Sequence, residues 1–403
     1  MTAATSALPL HGLLVVDLGQ VYNGPYAGLL LALAGAQVIK VEPPGGELLR
    51  KRAERIPGQR YPFATLNANK QGVTLNLKTD RGRELLLDLA ARADVLIENF
   101  RPGVLDRLGV GWQKLRETQP KLIFASSSGY GSTGPRRNHP AMDITVQAAS
   151  GVMSITGWPD RPPVKAGPAI ADFLGGIHLY AAILTALLER EHSGHGHRVE
   201  VAMQDAVIPS LASSLGLYFG SNGHEIPMRT GNRHNGLAEA PYNTYRANDG
   251  DLALIGATDA HWQAITRVIG QEQLATDPRF QTASARVAHV DEVDQFITEH
   301  AATRARDDLC EELLAAGVPC APVNDLSEVM SDPHLHHRGM LQPLQHPHFG
   351  QITAFASPLR FDDQPPTQLR PSPGLGEHNQ QVYAQLLGLD SQEIDQLERE
   401  GVI

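Results

Sequence analysis

The stretch LLVVDLGQVYNGPYAGLLLALAGAQVIKVE, residues 13–42, carries the clearest signal of the fold class. A short apolar run at 13–18 is bounded by glycines and is typical of a buried parallel strand. Residues 24–34 carry Leu and Ala at helical spacing, and a second strand is predicted over 37–42, where Pro43 and Pro44 end it. Strand, helix and strand in this order predict an α/β fold with a parallel sheet.

The same alternation continues along the chain. Helices are predicted over 81–92 and 172–191 and strands over 94–98, 122–126 and 198–202, which indicates a sheet with helices on both faces. The glycine- and histidine-rich residues 192–197 should end the long helix. A strand over 251–255 and helices over 261–269 and 391–400 are also expected.

A chain of 403 residues exceeds what one core usually supports, so two domains are expected. The composition shifts toward turn-forming residues near residues 204–240, and residues 347–373 are rich in proline. The predicted boundaries are a large α/β domain, a linker, a small domain, and a final segment that combines a second linker with a return to the large domain. They fall at residues 1–203, 204–224, 225–330 and 331–403.

Composition argues against several classes of partner. The net charge of -10 disfavours nucleic-acid binding, which rests on a basic surface. The only two cysteines, Cys310 and Cys320, form neither a disulfide framework nor a zinc ribbon, and they suit a reducing cytoplasm. The start of the chain lacks the features of a signal peptide, and the apolar stretch at 29–36 is too short to span a membrane.

The first strand–helix turn does not match the nicotinamide fingerprint G-x-G-x-x-G, and Pro25 removes a donor. The turn can still offer backbone N–H groups at a helix N-terminus. An equally good interpretation is that Gly24 and Pro25 simply begin the helix. The histidines at 192, 195 and 197 match no common zinc spacing, and a helix-end role suits them better, so no metal site is predicted.

Three polar segments are candidates for anion or nucleotide binding. Residues 98–103 (ENFRPG) and 126–131 (SSSGYG) each follow a predicted strand, and ligands bind at the carboxyl ends of parallel strands. The third is a basic cluster, for which a solvated helix face paired with Glu47 and Glu54 is the favoured interpretation. Its members are Arg50, Lys51, Arg52, Arg55 and Arg60.

Asp172 stands where the long helix begins. The simple interpretation is an N-cap, a position that Asp favours. Gly175 and Gly176 in the first turn cost helix stability, however, and would clear space beside the carboxylate. A helix start also favours an ionised carboxylate and offers N–H groups to a developing oxyanion. Asp172 is therefore a candidate nucleophile.

Taken in order, several segments resemble the class III CoA-transferases, the family of formyl-CoA transferase and carnitine CoA-transferase, over nearly the whole chain. The matching segments are LLVVDLGQVYNGPYAG, GAQVIKVEPPGG, NKQGVTLNLKTDRGRELL, ADVLIENFRPGVLDRLGVGW, SSSGYGSTGP, DITVQAASGVMSITG, ADFLGGIHLYAAILTALLERE and GHRVEVAMQDAV. The resemblance implies that Asp172 carries the acyl group as an anhydride and then CoA as a thioester. Coenzyme A is thus a substrate and product, and no permanently bound cofactor is expected.

The resemblance also carries over positions that contact CoA. They are Tyr22, Asn23, Leu75, Lys78, Asn99, Phe100, Arg101, Arg107 and Tyr130. Gln20, Arg233 and His234 are candidate contacts to the acids, with the last two grasping a second carboxylate. The chain departs from formyl-CoA transferase at Pro43 and Ser128, which replace basic residues near the nucleotide. Residues 231–236 replace the glycine run of that enzyme's lid.

The implied architecture is a large Rossmann-like domain built from the N- and C-terminal segments, with a smaller α+β domain. The family further implies a ring-shaped monomer and an interlocked homodimer. The partners expected are an acyl-CoA donor and a carboxylate acceptor, with neither nucleic acid nor membrane. The matching pattern is nearest to members that use small acids such as formate, oxalate, acetate or succinate.

Three other functions compete with CoA transfer. An α-methylacyl-CoA racemase shares the fold and uses a histidine followed by Asp, where this chain has Met142 and Asp143. A thioether is no base, and His139 is out of register, so the transferase is favoured. A non-catalytic CoA-binding protein is disfavoured by the retention of Asp172, and a nicotinamide oxidoreductase by the absent fingerprint.

Overall fold

A computed structural model describes residues 8–55, 60–222, 224–347, 349–361 and 367–403, without the side chains of residues 53–55. Eleven strands occur within these residues. They are β1 (Leu14–Asp17), β2 (Gln37–Glu42), β3 (Gln71–Thr74), β4 (Val95–Glu98), β5 (Ile123–Ser128), β6 (Arg198–Ala202), β7 (Tyr242–Arg246), β8 (Asp251–Ile255), β9 (Cys320–Pro322), β10 (Leu341–His346) and β11 (Gly350–Phe355).

The helices are interspersed with these strands. They are α1 (Asn23–Leu33), α2 (Leu48–Arg55), α3 (Arg60–Leu66), α4 (Asp80–Ala90), α5 (Val104–Arg107), α6 (Trp112–Thr118), α7 (Asp143–Ala149), α8 (Val152–Ile155), α9 (Ile170–Ser193), α10 (Met203–Val207), α11 (Ala212–Gly220), α12 (Asp259–Val268), α13 (Ala283–Ala288), α14 (Val290–Ala301), α15 (Arg306–Ala315), α16 (Leu326–Ser331), α17 (Pro333–His337), α18 (Asn379–Val382) and α19 (Ser391–Arg399). Short 3₁₀ turns at Ile208–Leu211 and Glu272–Ala275 and a π-helical turn at Tyr383–Leu387 complete the set in the described chain.

The chain divides into two compact units. The first contains the described residues up to Val146 together with Pro168–Val207 and Met330–Ile403. The second contains Gln147–Gly167 and Ile208–Val329. The second unit thus includes a segment before α9 as well as the region around the predicted small domain at 225–330.

The first unit is built on a six-stranded sheet in the order β3-β2-β1-β4-β5-β6. Every pairing is parallel, with Val15 opposite Val38 on one side and Val95 on the other. The strand order reverses between β1 and β4, as it does in dinucleotide-binding sheets. The predicted α/β fold with a parallel sheet is confirmed.

Alternate residues of β1 are buried on opposite faces of this sheet. Val16 belongs to one apolar cluster, which includes Leu85 and Leu89 of α4. Val15 belongs to another, which includes Leu179 and Ile183 of α9. Because side chains alternate along a strand, helices cover both faces, as the apolar runs in the sequence predict.

The end of the chain packs against the edge strand β3. Asn379 accepts a hydrogen bond from the N–H of Thr74 at 2.9 Å, and the Tyr383 hydroxyl donates to the carbonyl of Thr74 at 2.7 Å. The terminal helix α19 begins with a capping box between Asp390 and Glu393. The C-terminal segment therefore completes the core of the first unit and covers a sheet edge.

Helix α9 has an additional property that the sequence analysis overlooked. It is the helix in the described chain that is long and apolar enough to cross a membrane, rather than the stretch at 29–36. This criterion concerns length and composition alone, and core helices of water-soluble domains also meet it. Leu179 and Ile183 of this helix are fully buried in the first unit, whereas Ile177 and Leu188 are exposed.

The second unit has an antiparallel sheet in the order β7-β8-β9. Trp262 of α12 and Phe280 are fully buried in its core. The guanidinium of Arg286 is also buried and donates to the carbonyls of Ala240 and Phe280 at 2.9 and 3.1 Å. The predicted strand at 251–255 is β8, and the predicted helix at 261–269 is α12, which begins two residues earlier.

Candidate active site

The turn after β1 and the turn after β4 meet where the strand order reverses. Asn99 joins them, because its Oδ1 accepts the N–H of Gln20 at 2.7 Å and its Nδ2 donates to the Gln20 carbonyl at 2.8 Å. Ligands of open α/β sheets bind beside the carboxyl ends of strands at such a reversal. The structure therefore brings two predicted site residues together at the expected place.

A groove of about 250 Å³ lies beside this junction. Its walls are formed by residues that follow β1, β2, β3 and β4, and they include the predicted contacts Gln20, Leu75, Lys78 and Phe100. Pro43 also lines it. The lining is mainly apolar and includes the Lys78 cation, and its one carboxylate, Glu42, is paired with Arg50, so it suits a flat heterocycle carrying phosphate.

The other predicted CoA contacts lie outside the groove lining that the described residues form. Arg101 is exposed after β4, and Arg107 of α5 lies close to Gly103. The Tyr130 hydroxyl is 3.5 Å from the Thr145 carbonyl. Tyr22 and Asn23 begin α1 and lead toward Asp172 rather than into the groove, as described below.

The N–H groups of the turn after β1 are largely occupied. Those of Gly19, Gln20 and Val21 donate to the side chains of Asp17, Asn99 and Glu47 at 2.7 to 2.9 Å. The expectation that this turn offers its N–H groups to a ligand is therefore wrong for these three positions. Asp17 ends β1, Asn99 follows β4 and Glu47 directly precedes α2, and these three side chains fix the shape of the turn.

Val21 adopts a left-handed backbone conformation with φ of 64°. This region is unfavourable for a β-branched residue, and such strain is concentrated at functional sites. The Glu47 carboxylate accepts a hydrogen bond from the Val21 N–H at 2.9 Å. The nearby Lys40 ammonium donates to the Gly19 carbonyl, so both sides of the turn are fixed by buried charges.

The supporting charges include a fully buried ion pair between Asp17 and Lys70 at 2.8 Å. Asp17, Lys40 and Lys70 were not among the candidate residues, and Glu47 was assigned only to the basic cluster. Their signal was present, since charged residues inside apolar strands such as QVIKVE need buried partners. The identity of those partners depends on contacts between distant segments.

Arg50 in the basic cluster pairs with a residue outside the cluster. It donates to both carboxylate oxygens of Glu42 of β2 at 2.8 and 2.9 Å and lies 3.8 Å from the ring centre of Phe63. Glu47 instead accepts the N–H of Val21, so the favoured interpretation of a helix face paired with Glu47 is wrong for Arg50. The side chains of Arg55 and Glu54 lie outside the described residues.

Asp172 is not an N-cap, contrary to the simple interpretation. Helix α9 begins at Ile170, and the N-cap is Ala169, which has no capping side chain. Asp172 is the third residue of the helix. The cap is supplied instead by Asp143, whose Oδ1 accepts the N–H groups of Ala171 at 2.9 Å and Asp172 at 3.3 Å.

The first turn of α9 has no spare N–H donors. Ile170 and Phe173 donate to the carbonyls of Pro168 and Ala169, and the two residues between them donate to Asp143. The expectation that these N–H groups stabilise an oxyanion is therefore wrong. Donors for a developing negative charge must come from other groups.

Gly175 and Gly176 serve close helix packing. A Cβ atom at Gly175 would lie 2.2 Å from Nδ2 of Asn23, and one at Gly176 would lie 2.8 Å from the Asn23 carbonyl oxygen. The predicted open space beside the carboxylate is thus filled by α1. This packing lets Asn23 donate to the backbone carbonyl of Asp172 at 3.2 Å, while its own Oδ1 has no partner in the described structure.

The Asp172 carboxyl is poised to ionise near neutral pH. Asp172 is 9% exposed, and its pKa is raised to about 7. Burial is the main cause and repulsion from Asp143 adds to it, whereas the positive charge of Arg52 opposes the shift. Perturbed carboxyls of this kind cluster at active sites.

Glu98 is a second carboxyl with a perturbed pKa. Burial raises its pKa to about 7, although the Ser126 hydroxyl and the Phe100 N–H donate to it. Glu98 ends β4 and holds the backbone of the turn that contains Asn99 and Phe100. Glu98 itself was not predicted to be a site residue, although residues 98–103 were a candidate segment.

Arg233, in the second unit, is already paired with two carboxylates. Its guanidinium is 2.7 Å from both Asp291 and Asp294, and Asp294 also accepts the Tyr245 hydroxyl. A substrate carboxylate would have to compete with these acids. His234 stacks edge-on with Tyr242. The prediction that Arg233 and His234 grasp a second carboxylate stays a prediction.

Among the described residues no cluster of three or more His, Cys, Asp or Glu side chains could hold a metal ion. Cys310 and Cys320 are free thiols, and the Cys320 thiol donates to the Cys310 carbonyl at 3.4 Å.

The family model described as CoA-transferase family III matches residues 10–379. This chain belongs to CoA-transferase family III. Formyl-CoA:oxalate CoA-transferase of Streptomyces coelicolor is 37% identical to it, over 99% of this chain and 100% of the relative. Acetyl-CoA:oxalate CoA-transferase of Acetobacter aceti is 38% identical over 85% and 88% of the two chains.

A solved structure supports the assignment to CoA-transferase family III. A CAIB/BAIF family protein from Brucella suis superposes with a TM-score of 0.82 at 36% identity, covering 94% of this chain and 100% of that one. The resemblance inferred from the sequence is confirmed. The chain is a CoA-transferase, which moves CoA from an acyl thioester to a free carboxylate.

Proposed function

We propose that this family III CoA-transferase works through covalent catalysis by Asp172, with CoA held along the groove beside the strand-order reversal. The observation that carries the proposal is the buried Asp172 carboxyl, whose pKa of about 7 makes both its forms accessible at neutral pH. Asn23 links its backbone to the helix that follows the turn of Gln20. The nucleophile and the groove therefore belong to one connected arrangement.

The reaction begins when the ionised Asp172 attacks the carbonyl carbon of the acyl-CoA. The carbon–sulfur bond breaks, CoA leaves as a thiolate, and an aspartyl–acyl anhydride remains. The thiolate then attacks the aspartyl carbonyl, which releases the donor acid as a carboxylate and leaves an aspartyl–CoA thioester. Covalent catalysis thus divides one difficult exchange into easier steps.

The acceptor carboxylate then attacks the aspartyl–CoA thioester and expels CoA thiolate. The resulting anhydride is attacked by the thiolate at the acceptor's acyl carbon, which yields the new acyl-CoA and regenerates the Asp172 carboxylate. No proton, metal ion or oxidant is consumed in this cycle. Burial of Asp172 limits the access of water, which would hydrolyse either intermediate.

Charge that develops on the thioester oxygen needs donors other than the occupied N–H groups of α9. Gln20 lines the groove, and its side-chain amide is suited to donate to that oxygen. Gln20 therefore acts as the donor to the developing oxyanion as well as a substrate contact.

Coenzyme A is held by Leu75, Lys78, Asn99 and Phe100 around the groove. Lys78 provides a cation for a phosphate. Pro43 and Ser128 cannot replace the basic residues of formyl-CoA transferase, and Ser128 instead accepts the N–H of Gly131 at 3.0 Å. Arg101, Arg107 and Tyr130 complete the set of proposed contacts.

The acids are small carboxylic acids. The relatives act on oxalate, and further relatives at 35 to 37% identity are named for transfer to citramalate, mesaconate or glutarate. A family with such acceptors supports a small dicarboxylate for this enzyme. Arg233 and His234 are the proposed contacts to the second carboxylate.

The assembly proposed is an interlocked homodimer of ring-shaped monomers in the cytoplasm. Support for the assembly comes from the family resemblance, and support for the cytoplasm comes from the low cysteine content. The proposed domains are the large domain at 1–203, the linker at 204–224, the small domain at 225–330 and the C-terminal return at 331–403. Neither a resident cofactor nor a nucleic-acid or membrane partner is part of the proposal.

A transfer assay tests this function. Purified protein is mixed with formyl-, acetyl-, succinyl- or oxalyl-CoA and a panel of free acids, and new thioesters are separated by chromatography. The proposal predicts transfer with at least one pair and none with Asp172→Asn. A thioester product formed equally well by Asp172→Asn would contradict covalent catalysis by Asp172.

A further inference from the structure

Asp143 begins helix α7 and contacts the start of α9. Its Oδ1 accepts two N–H groups, from Ala171 at 2.9 Å and Asp172 at 3.3 Å. These partners are 28 and 29 residues further along the chain, so the contact is tertiary. One carboxylate oxygen replaces the side-chain cap that Ala169 lacks.

We propose that Asp143 is a positioning residue for Asp172: its carboxylate fixes the backbone of the nucleophile through two hydrogen bonds, and its charge shifts ionisation of the nucleophile to higher pH. This inference rests on the proposed role of Asp172. Asp143 acts through Asp172 and the helix start, because its contact is to backbone N–H groups at the nucleophile itself. In the racemases a histidine base stands at the position of Met142, and an aspartate follows it at the position of Asp143.

The two functions of Asp143 have separate physical origins. Acceptance of two N–H groups depends on an oxygen at the right place, which an amide also provides. Repulsion of the Asp172 carboxylate depends on the negative charge, which an amide lacks. Asp143→Asn therefore removes the charge and keeps the capping oxygen, whereas Asp143→Ala removes both.

Burial, Asp143 and Arg52 determine the ionisation of Asp172. Burial is the largest influence and raises the pKa, Asp143 raises it further, and Arg52 lowers it. The elements that pack most extensively against α9 carry the titratable or charged side chains Tyr26 of α1, Asp205 of α10, and Arg198 and Glu200 of β6. Burial raises the pKa of Tyr26, so its hydroxyl stays neutral near pH 7.

Removing the charge of Asp143 has two expected effects on Asp172. The carboxyl ionises at lower pH, because a repulsive neighbour is gone while burial and Arg52 remain. A more acidic carboxylate is also a weaker nucleophile, so the plateau rate falls by about three- to tenfold. Removing the oxygen as well, in Asp143→Ala, frees two N–H groups and lowers the rate by about 10- to 100-fold through lost positioning.

The test uses single-turnover formation of the Asp172 adduct by the full-length enzyme, with the most active of formyl-, acetyl-, succinyl- and oxalyl-CoA. Reactions across a pH range are quenched in acid, and the adduct is quantified by intact and peptide mass. Asp390 gives the matched control, since its Oδ1 caps α19 in the same unit by accepting the Glu393 N–H at 2.9 Å. Asp390→Asn should leave the pH profile unchanged.

The inference predicts that the half-maximal rate moves to lower pH in Asp143→Asn, while Asp390→Asn retains the wild-type midpoint. An unchanged midpoint in Asp143→Asn would overturn it, even if stability fell. If Asp143→Ala does not fold, the asparagine variant alone decides the matter. Absence of an adduct on Asp172 in the wild-type enzyme would instead refute the proposed function, so the two failures are distinguishable.

Discussion

Replacing Gly175 with alanine should lower the transfer rate far more than it lowers stability. The new Cβ would lie 2.2 Å from Nδ2 of Asn23 and 3.0 Å from Cγ of Met203, whereas ordinary contact begins at 3.4 Å. The Asn23 amide must therefore move by about 1 Å or α9 must shift, and either change disturbs its bond to the Asp172 carbonyl. A displacement of this size at a reacting group costs about 100-fold in rate.

The effect on stability should be small by comparison. Overpacking costs about 1–3 kcal/mol. Replacing glycine inside a helix returns up to about 1 kcal/mol, so the net loss is about 0–2 kcal/mol.

Initial rates of CoA transfer and urea unfolding curves, measured on the same preparations, give both quantities. Gly216→Ala is the matched control, because Gly216 lies inside α11 and a Cβ there would have nothing within 4 Å. That variant should retain the wild-type rate and gain up to about 1 kcal/mol. A Gly175→Ala enzyme within about threefold of the wild-type rate would refute the coupling between Asn23 and Asp172.

Three further substitutions test other parts of the account. Asp172→Asn should stabilise the protein above pH 7 by an amount on the order of a few kcal/mol, because the folded pKa of about 7 exceeds the ordinary 3.8. The wild-type protein loses this stability as pH rises through 7, so the advantage of the variant vanishes below about pH 4. Free energies of unfolding that differ by the same amount at every pH would contradict this. Lys78→Ala should raise KM for the acyl-CoA by about tenfold with kcat little changed, whereas the exposed Lys114→Ala should change neither, and an equal KM would exclude a phosphate contact. Lys70→Met should lower the free energy of unfolding in urea by about 3–5 kcal/mol, since it leaves the buried Asp17 carboxylate without its partner. Adding Asp17→Asn should restore part of the loss, and a double variant whose loss equals the sum of the two single losses would contradict the buried pair.

The central sheet could be predicted from sequence because its signals are local. Apolar runs of strand length alternate with helical spacing, so β1, β2 and β8 fall within about one residue of their predicted places. Glycine at 194 ends α9 in the left-handed conformation, as expected. The groove followed from the same reasoning, because polar residues after parallel strands meet at one edge of the sheet.

The start of α9 shows where local reasoning fails. Asp, followed by a long helical pattern, is typical of an N-cap, yet the helix begins two residues earlier at Ile170. The missing capping group is provided by Asp143, from a separate segment. A cap that comes from elsewhere in the fold leaves no signature in the residues next to the helix.

The charges beneath the turn after β1 were missed for a similar reason. Lys40 and Lys70 each need a buried acceptor, but the partner of Lys70 lies 53 residues away at Asp17. Likewise, Asn23 and Asp172 are 149 residues apart. Composition shows that such groups exist, whereas their pairing depends on the tertiary structure.

The most direct test of the central claim is to trap the acyl or CoA group on Asp172. The enzyme is incubated with each of the four acyl-CoA donors, treated with hydroxylamine, and digested for peptide mass measurement. The account predicts a hydroxamate on the peptide that contains Asp172, and none in Asp172→Ala. A wild-type enzyme that transfers CoA while this peptide stays unmodified with every donor would contradict covalent catalysis by Asp172.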